Sequence, residues 1–186
     1  MPRKLSLALF LLAAIFLFLV VMTGRNTSWD KKITTGEYYF PGLKDEINDV
    51  SLIKISQSGN TFEIVRLDNE WILKNKDNFP ADTNKVKTNL IAASNAIKIE
   101  PKTQRQHLFT KLDLEDPSLP NAKSYLMELY NDNNKILASV IVGKRIPNLI
   151  KRGEFGVYLR NPSSMETWLV SGNLNASDGV KNWIST

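Results

Sequence analysis

Three kinds of hydrophobic pattern follow one another along the chain. The first is unbroken: Leu5 to Met22 reads LSLALFLLAAIFLFLVVM, without a charged residue. At about 1.5 Å of rise per residue this stretch is about 27 Å long as a helix, close to the roughly 30 Å of a hydrocarbon core. Thirteen of its eighteen residues are Leu, Ile, Val or Phe, which favours entry into a bilayer by about 4 to 8 kcal/mol. Ser6 alone cannot supply the polar stripe of a soluble amphipathic helix. The pattern predicts a transmembrane helix, with Leu5, Phe10, Ile15, Leu19 and Met22 marking its length.

The second pattern has a period of two. Val50 to Gln57 sets Ile53 and Ile55 on one face and Lys54 and Ser56 on the other. Ser58-Gly59-Asn60 supplies turn chemistry, Thr61 to Leu67 alternates again, Asp68-Asn69 turns, and Glu70 to Lys74 returns with Trp71 and Leu73 on one face. These segments predict a three-stranded antiparallel meander. A helical period follows. Pro80-Ala81-Asp82 opens it with Asp82 or Thr83 as N-cap, Val86, Leu90, Ala93 and Ile97 share one face, and Glu100-Pro101 ends it. Arg105 to Lys111 predicts a short helical turn, and Leu112 to Pro117 a loop.

The last third returns to strands. Tyr125 to Tyr130 and Ile136 to Val142 flank an Asn131–Asn134 turn, with the second strand ending at Gly143. Lys144 to Gly153 reads as a loop containing Pro147. Phe155 to Arg160 and Glu166 to Val170 form a last hairpin, and Asp178 to Trp183 a short closing helix docked by Trp183. The expected fold class is α+β: an N-terminal transmembrane helix, then an antiparallel β-rich domain of meander and hairpins with one main covering helix. The expected divisions are 1–24 for the cytoplasmic tip and anchor, 25–47 for a juxtamembrane segment, and 48–186 for an extracytoplasmic domain. Within 25–47, Tyr38-Tyr39-Phe40 reads as a cover on the domain, and Trp29 fits either the membrane interface or the domain surface.

Flanking residues refine the first segment. A signal peptide has a shorter apolar core, about 7 to 15 residues, and a small-x-small cleavage site. Met22-Thr23-Gly24-Arg25 makes a poor one, and with no Cys in the chain a lipid-modified cysteine is excluded. Arg3 and Lys4 hold the short N-terminal end in the cytoplasm by the positive-inside rule, which places the larger domain across the membrane. The expected location is the bacterial inner membrane, single-pass, with the main domain periplasmic.

Composition excludes little beyond disorder: 42% hydrophobic and 23% charged residues suit a packed globule. The net charge of +5 is concentrated near the N-terminus and in residues 143–160. A nucleic-acid binder would carry a broad basic face with stacking aromatics, so none is expected as partner. Thiolate chemistry is absent, His107 is the one histidine, and no G-x-S-x-G, H-E-x-x-H or Walker pattern occurs. Asp113, Glu115 and Asp116 form an acidic cluster that reads either as a hard-cation or acid–base site, or as turn chemistry around Asp116-Pro117. Asn26-Thr27-Ser28 and Asn175-Ala176-Ser177 match the glycosylation pattern, meaningful only in a eukaryotic secretory route. The strongest candidate is the basic loop. Lys144, Arg145, Lys151 and Arg152 flank Ile146, Pro147, Leu149 and Ile150, a mixture suited to anionic lipid head groups, an anionic glycan or an acidic protein surface. The plainer reading is a solvated hairpin tip.

A set of short motifs in fixed order adds a resemblance. They are Phe40-Pro41-Gly42-Leu43 with Ile47-Asn48-Asp49-Val50, Phe79-Pro80-Ala81-Asp82, Glu100-Pro101-Lys102-Thr103, Leu112 through Glu115-Asp116-Pro117, Val142-Gly143-Lys144-Arg145, Tyr158-Leu159-Arg160 and Trp168-Leu169-Val170. Across residues 38–184 the chain resembles the bacterial domain-of-unknown-function family 4340, with Asp113 standing where that family's loop is expected to hold Gly. The resemblance implies a membrane-anchored extracytoplasmic domain, often encoded near ABC-type export systems with gliding-motility-like components. It carries over no catalytic residue. Anchor, domain and resemblance together lead to the expectation of a non-enzymatic accessory or scaffold protein, without cofactor or metal, contacting transporter subunits in the envelope. The alternative is a periplasmic binding module for an anionic glycan or lipid, and a third reading is an unrecognised hydrolase.

Overall fold

The computed structural model describes residues 36–147, 149, 155–175 and 179–185, with positions 13 and 15. Of the expected anchor, Ile15 is helical and 52% exposed, while Leu5, Phe10, Leu19 and Met22 lie outside the described residues, as does Trp29. Among the described residues no helix is long and apolar enough to cross a membrane. Met1–Ile33 and Thr34–Thr186 are separate compact units, and the second carries the fold.

Alternation in the second unit builds strands β1 (Val50–Gln57), β2 (Asn60–Leu67), β3 (Glu70–Leu73) and β4 (Phe79–Pro80). After helix α2 (Thr83–Ser94), preceded by the single turn α1 (Leu43–Glu46), come β5 (Ile97–Pro101), β6 (Tyr125–Asn131), β7 (Ile136–Ile146), β8 (Gly156–Arg160) and β9 (Thr167–Ser171). All nine join one antiparallel sheet in the order β4-β3-β2-β1-β6-β7-β8-β9-β5. The meander and the later hairpins thus fuse through the β1–β6 ladder, which pairs Ile53 with Leu129 and Ile55 with Met127.

Helix α2 starts where the sequence predicts. Asp82 Oδ1 accepts from the backbone N–H groups of Asn84 (2.9 Å) and Lys85 (3.1 Å), satisfying two donors that a first turn leaves orphaned. The expected end at Glu100 is corrected. The helix stops at Ser94, and Ile97 opens β5 instead of closing the apolar face. Asn95 leaves the helix at φ −101°, and Ile97-Lys98-Ile99-Glu100 then alternates as an edge strand pairing with β9. The helix therefore carries the chain from one end of the sheet to the other. Val86, Leu90 and Ala93 of α2 share one core with Ile53, Ile55, Ile64, Leu73, Met127, Leu129, Val140, Leu159 and Val170 of the sheet.

The reverse face of β6, β7 and β8 is covered too. Leu126, Ile141 and Tyr158 point away from the main core and pack with Phe109, Leu112 and Leu114 from the 3-10 turn Gln106–Leu112 and the loop after it. That loop approaches β7 at Gly143, and the strand, expected to end there, continues to Ile146 because Arg145 and Ile146 pair with Val157 and Gly156 of β8. Gly143 serves contact with the loop carbonyls and not a turn.

Both sheet edges are capped. Along β5, Gly36 N–H donates to the Lys98 carbonyl (2.9 Å), Lys98 N–H to that of Glu37 (2.9 Å) and Tyr39 N–H to that of Ala96 (2.7 Å). Along β4, Ser185 N–H donates to the Pro80 carbonyl (3.1 Å), and Ala81 bridges Ile184. Residues 36–47, read from sequence as part of a juxtamembrane segment, are built into this unit, with Leu43 only 2% exposed. The 3-10 turn Val180–Trp183 closes the sequence side of the core, with Trp183 fully buried.

Candidate ligand groove

One gap remains inside the sheet. β7 pairs with β6 from Ile136 to Val142, but with β8 only from Ile141 onward, opposite Arg160. There β8 ends, because Asn161-Pro162 diverts the chain into a turn closed by Ser164 N–H on the Asn161 carbonyl (3.0 Å). Among the described residues, the edge of β7 from Ile136 to Val140 therefore has no strand on its β8 side. A groove of about 460 Å³ opens along it, within the size range of small-ligand sites.

One wall is Tyr39, Phe40 and Pro41, the first two stacked edge to face with ring centroids 4.8 Å apart. The other consists of Asn161, Ser164, Glu166 and Trp168, and Ile136 to Ser139 supply the strand edge. Lys98 places its ammonium 5.1 Å from the Trp168 ring centroid and 4.0 Å from the Glu37 carboxylate. Glu166 receives a long hydrogen bond from Gln104 Nε2, 3.4 Å.

Nearby lies Arg160, 7% exposed. Its Nη1 donates to the Ser164 carbonyl (3.2 Å), its Nε to that of Leu114 (3.4 Å), and its guanidinium lies 4.8 Å from the Phe109 ring centroid. Burial lowers the Arg160 pKa, opposed by the charges of Asp116 and Tyr39. Burial likewise pushes the Tyr39 phenol well above its ordinary range, with Arg160 opposing and Glu166 adding to the rise. At neutral pH Tyr39 is therefore a hydrogen-bonding phenol and not a base. Rings, hydroxyls, an amide, the Lys98 ammonium, the Glu166 carboxylate and a bare strand edge make a surface for recognition.

Those residues singled out from sequence that are described fall elsewhere. Lys144 is exposed on β7. Arg145 is half-buried, donates through Nη2 to Asn173 Oδ1 (2.5 Å) and lies 5.4 Å from the Phe155 ring centroid. Lys151 and Arg152 lie outside the described residues. The acidic cluster is divided among turns. Asp113 takes the left-handed conformation at φ 52°, the region glycine occupies most easily, and sits 4.0 Å from Lys123 Nζ. Glu115 Oε1 accepts from Lys123 N–H (2.6 Å), and Asp116 Oδ1 accepts from both Ser118 N–H (2.9 Å) and Ser118 Oγ (2.8 Å). His107 is exposed on its 3-10 turn. Among the described residues no group of acidic, histidine or cysteine side chains is placed to hold a metal ion.

A second cavity of about 570 Å³ lies by the β1–β2 turn. Two of its amides are already engaged: Gln57 Nε2 donates to the Ala122 and Lys123 carbonyls (3.3 and 3.2 Å), and Asn75 Oδ1 accepts from Glu63 N–H (2.8 Å). Sequence reasoning passed over Tyr39, Ser139, Glu166 and Trp168 as a site. The signal that points to it is unequal strand length, since β7 runs for 11 residues beside the five of β8. No family model matches the chain, and neither a curated protein nor a solved structure does. The resemblance to family 4340 rests on the motifs given above.

Proposed function

We propose that this chain is a membrane-anchored accessory protein whose β-rich unit, on the extracytoplasmic side, holds a protein partner of the cell envelope in the β7 groove. The observation carrying the reading is the contrast between edges. Both ends of the sheet are capped by backbone hydrogen bonds, as expected for a sheet protected from indiscriminate pairing, while the recessed edge of β7 is bare and flanked by aromatic rings. The apolar stretch Leu5 to Met22 supports the anchor. Transporter subunits are the partner class suggested by the family resemblance.

Photo-crosslinking in the living cell tests this. A photoreactive side chain at Ile136, which lines the groove and is 51% exposed, is compared with one at Ile91, 59% exposed on α2. One discrete adduct from position 136, absent from 91, is expected. No adduct from 136, or the same adducts from both, overturns the reading. A phosphatase fused after Thr186 reports topology, and activity confined to the cytosol removes the extracytoplasmic assignment.

A further inference from the structure

We infer that the groove takes an extended peptide segment of its partner as an added β-strand against β7, with a basic side chain set against Glu166. This rests on the reading of the groove as the partner site and names what enters it. Along a strand, backbone N–H and C=O groups point alternately to either side. Between Ile136 and Val140 the groups on the β8 side meet no strand. The complement of such a row is another backbone in extended conformation. The four residues that line the groove, Ile136 to Ser139, at about 3.3 Å each give an edge of roughly 13 Å, enough for a short strand.

The walls decide between a single segment and a second copy of this chain. The edge lies between Tyr39-Phe40-Pro41 and the Asn161 to Ser164 turn, so a strand within another sheet cannot approach it, whereas one isolated segment can. Charge selects the side chain. The Lys98 ammonium is occupied by the Trp168 ring and the Glu37 carboxylate. Among the described residues the Glu166 side chain is held by the long Gln104 bond alone, leaving a half-buried carboxylate for a lysine or arginine of the incoming strand.

The probe is a random-sequence peptide library displayed on phage, selected against the full chain in detergent micelles. Enriched peptides are expected to carry Lys or Arg and to shift the backbone amide resonances of Ile136–Val140. N-methylation of a peptide at alternate residues in one register should weaken binding about tenfold, and in the other register leave it unchanged. Glu166→Gln should weaken peptides bearing the basic residue about two- to fivefold and leave their neutral analogues unaffected. Peptides that shift resonances elsewhere, or that tolerate N-methylation in both registers, overturn the inference. So does self-association of the chain through this edge that the peptides do not displace. If Ile136 crosslinks a partner in the cell while the peptides fail these tests, strand addition falls and the groove reading stands. If peptides insert but Ile136 crosslinks nothing, the groove's chemistry holds and the envelope-partner reading falls.

Discussion

Replacing Gly143 by Ala tests the packing of the 112–114 loop on the back of the sheet. A Cβ at this position would lie 2.7 Å from the Asp113 carbonyl oxygen, 2.9 Å from Leu114 Cδ2 and against the Leu112 carbonyl oxygen. Two of these neighbours are backbone, and Leu114 is fully buried, so none can yield without moving the loop. Overpacking of this kind costs about 1–3 kcal/mol. The loss of unfolded-state freedom on going from Gly to Ala offsets about 0.4–1 kcal/mol of that. A net loss of about 1–2 kcal/mol is expected, which at a urea slope near 2 kcal/mol per molar lowers the midpoint by about 0.5–1 M. Gly156→Ala is the control. The three atoms nearest its new Cβ all belong to the Leu149 side chain, the closest at 2.8 Å, which can rotate away, so the loss should stay below about 1 kcal/mol. Equilibrium urea unfolding followed by tryptophan fluorescence measures both. A Gly143→Ala protein as stable as the parent, or two glycine variants equally damaged, refutes the reasoning.

Three further expectations concern single groups. Asp82→Ala removes the cap of α2 and should cost about 1 kcal/mol in the same assay. Burial raises the Tyr39 pKa in the folded state, so its contribution is fully present below the unfolded value of about 10 and is lost as pH rises beyond it; Tyr39→Phe should make the alkaline decline in urea stability shallower. Hydrogen bonds from Ser118, first its backbone N–H and then its hydroxyl, hold the Asp116 carboxyl below the usual range. The resulting stability is present above the unfolded carboxylate value and lost as pH falls through the folded one, and Ser118→Ala should raise the Asp116 midpoint in a carboxyl NMR titration without restoring the ordinary value.

The elements that were legible in sequence are those whose cause is local. Ile53, Ile55, Trp71 and Leu73 announce their faces by period two, and Asp82 announces a helix start by its own chemistry. Ile97 misled because its four-residue step from Ala93 fits a helix, while the strand pattern Ile97-Lys98-Ile99-Glu100 overlaps it. Its pairing with Ser171 settles the matter, and no local pattern carries that pairing. The same holds for the β1–β6 ladder that merges two runs of strands into one sheet. The groove was hidden for a related reason: Tyr39, Ser139 and Glu166 meet only because β7 outruns β8. Arg145 belongs to a visible run of cations, but Asn173, distant in sequence, draws its guanidinium inward.

The cap on β4 has a consequence for biosynthesis. Lys85, beside that strand, and Asn182 are joined by a hydrogen bond of 2.9 Å although 97 positions separate them. A ribosome adding about 5–20 residues per second needs about 5–20 s to cover that distance. Throughout this interval the nascent chain carries β4 without its Ser185 partner and the core without Trp183. The turn Val180–Trp183 with Ser185 is thus the latch on a sheet whose first strands were made long before, and folding on the ribosome cannot finish until residue 185 has emerged.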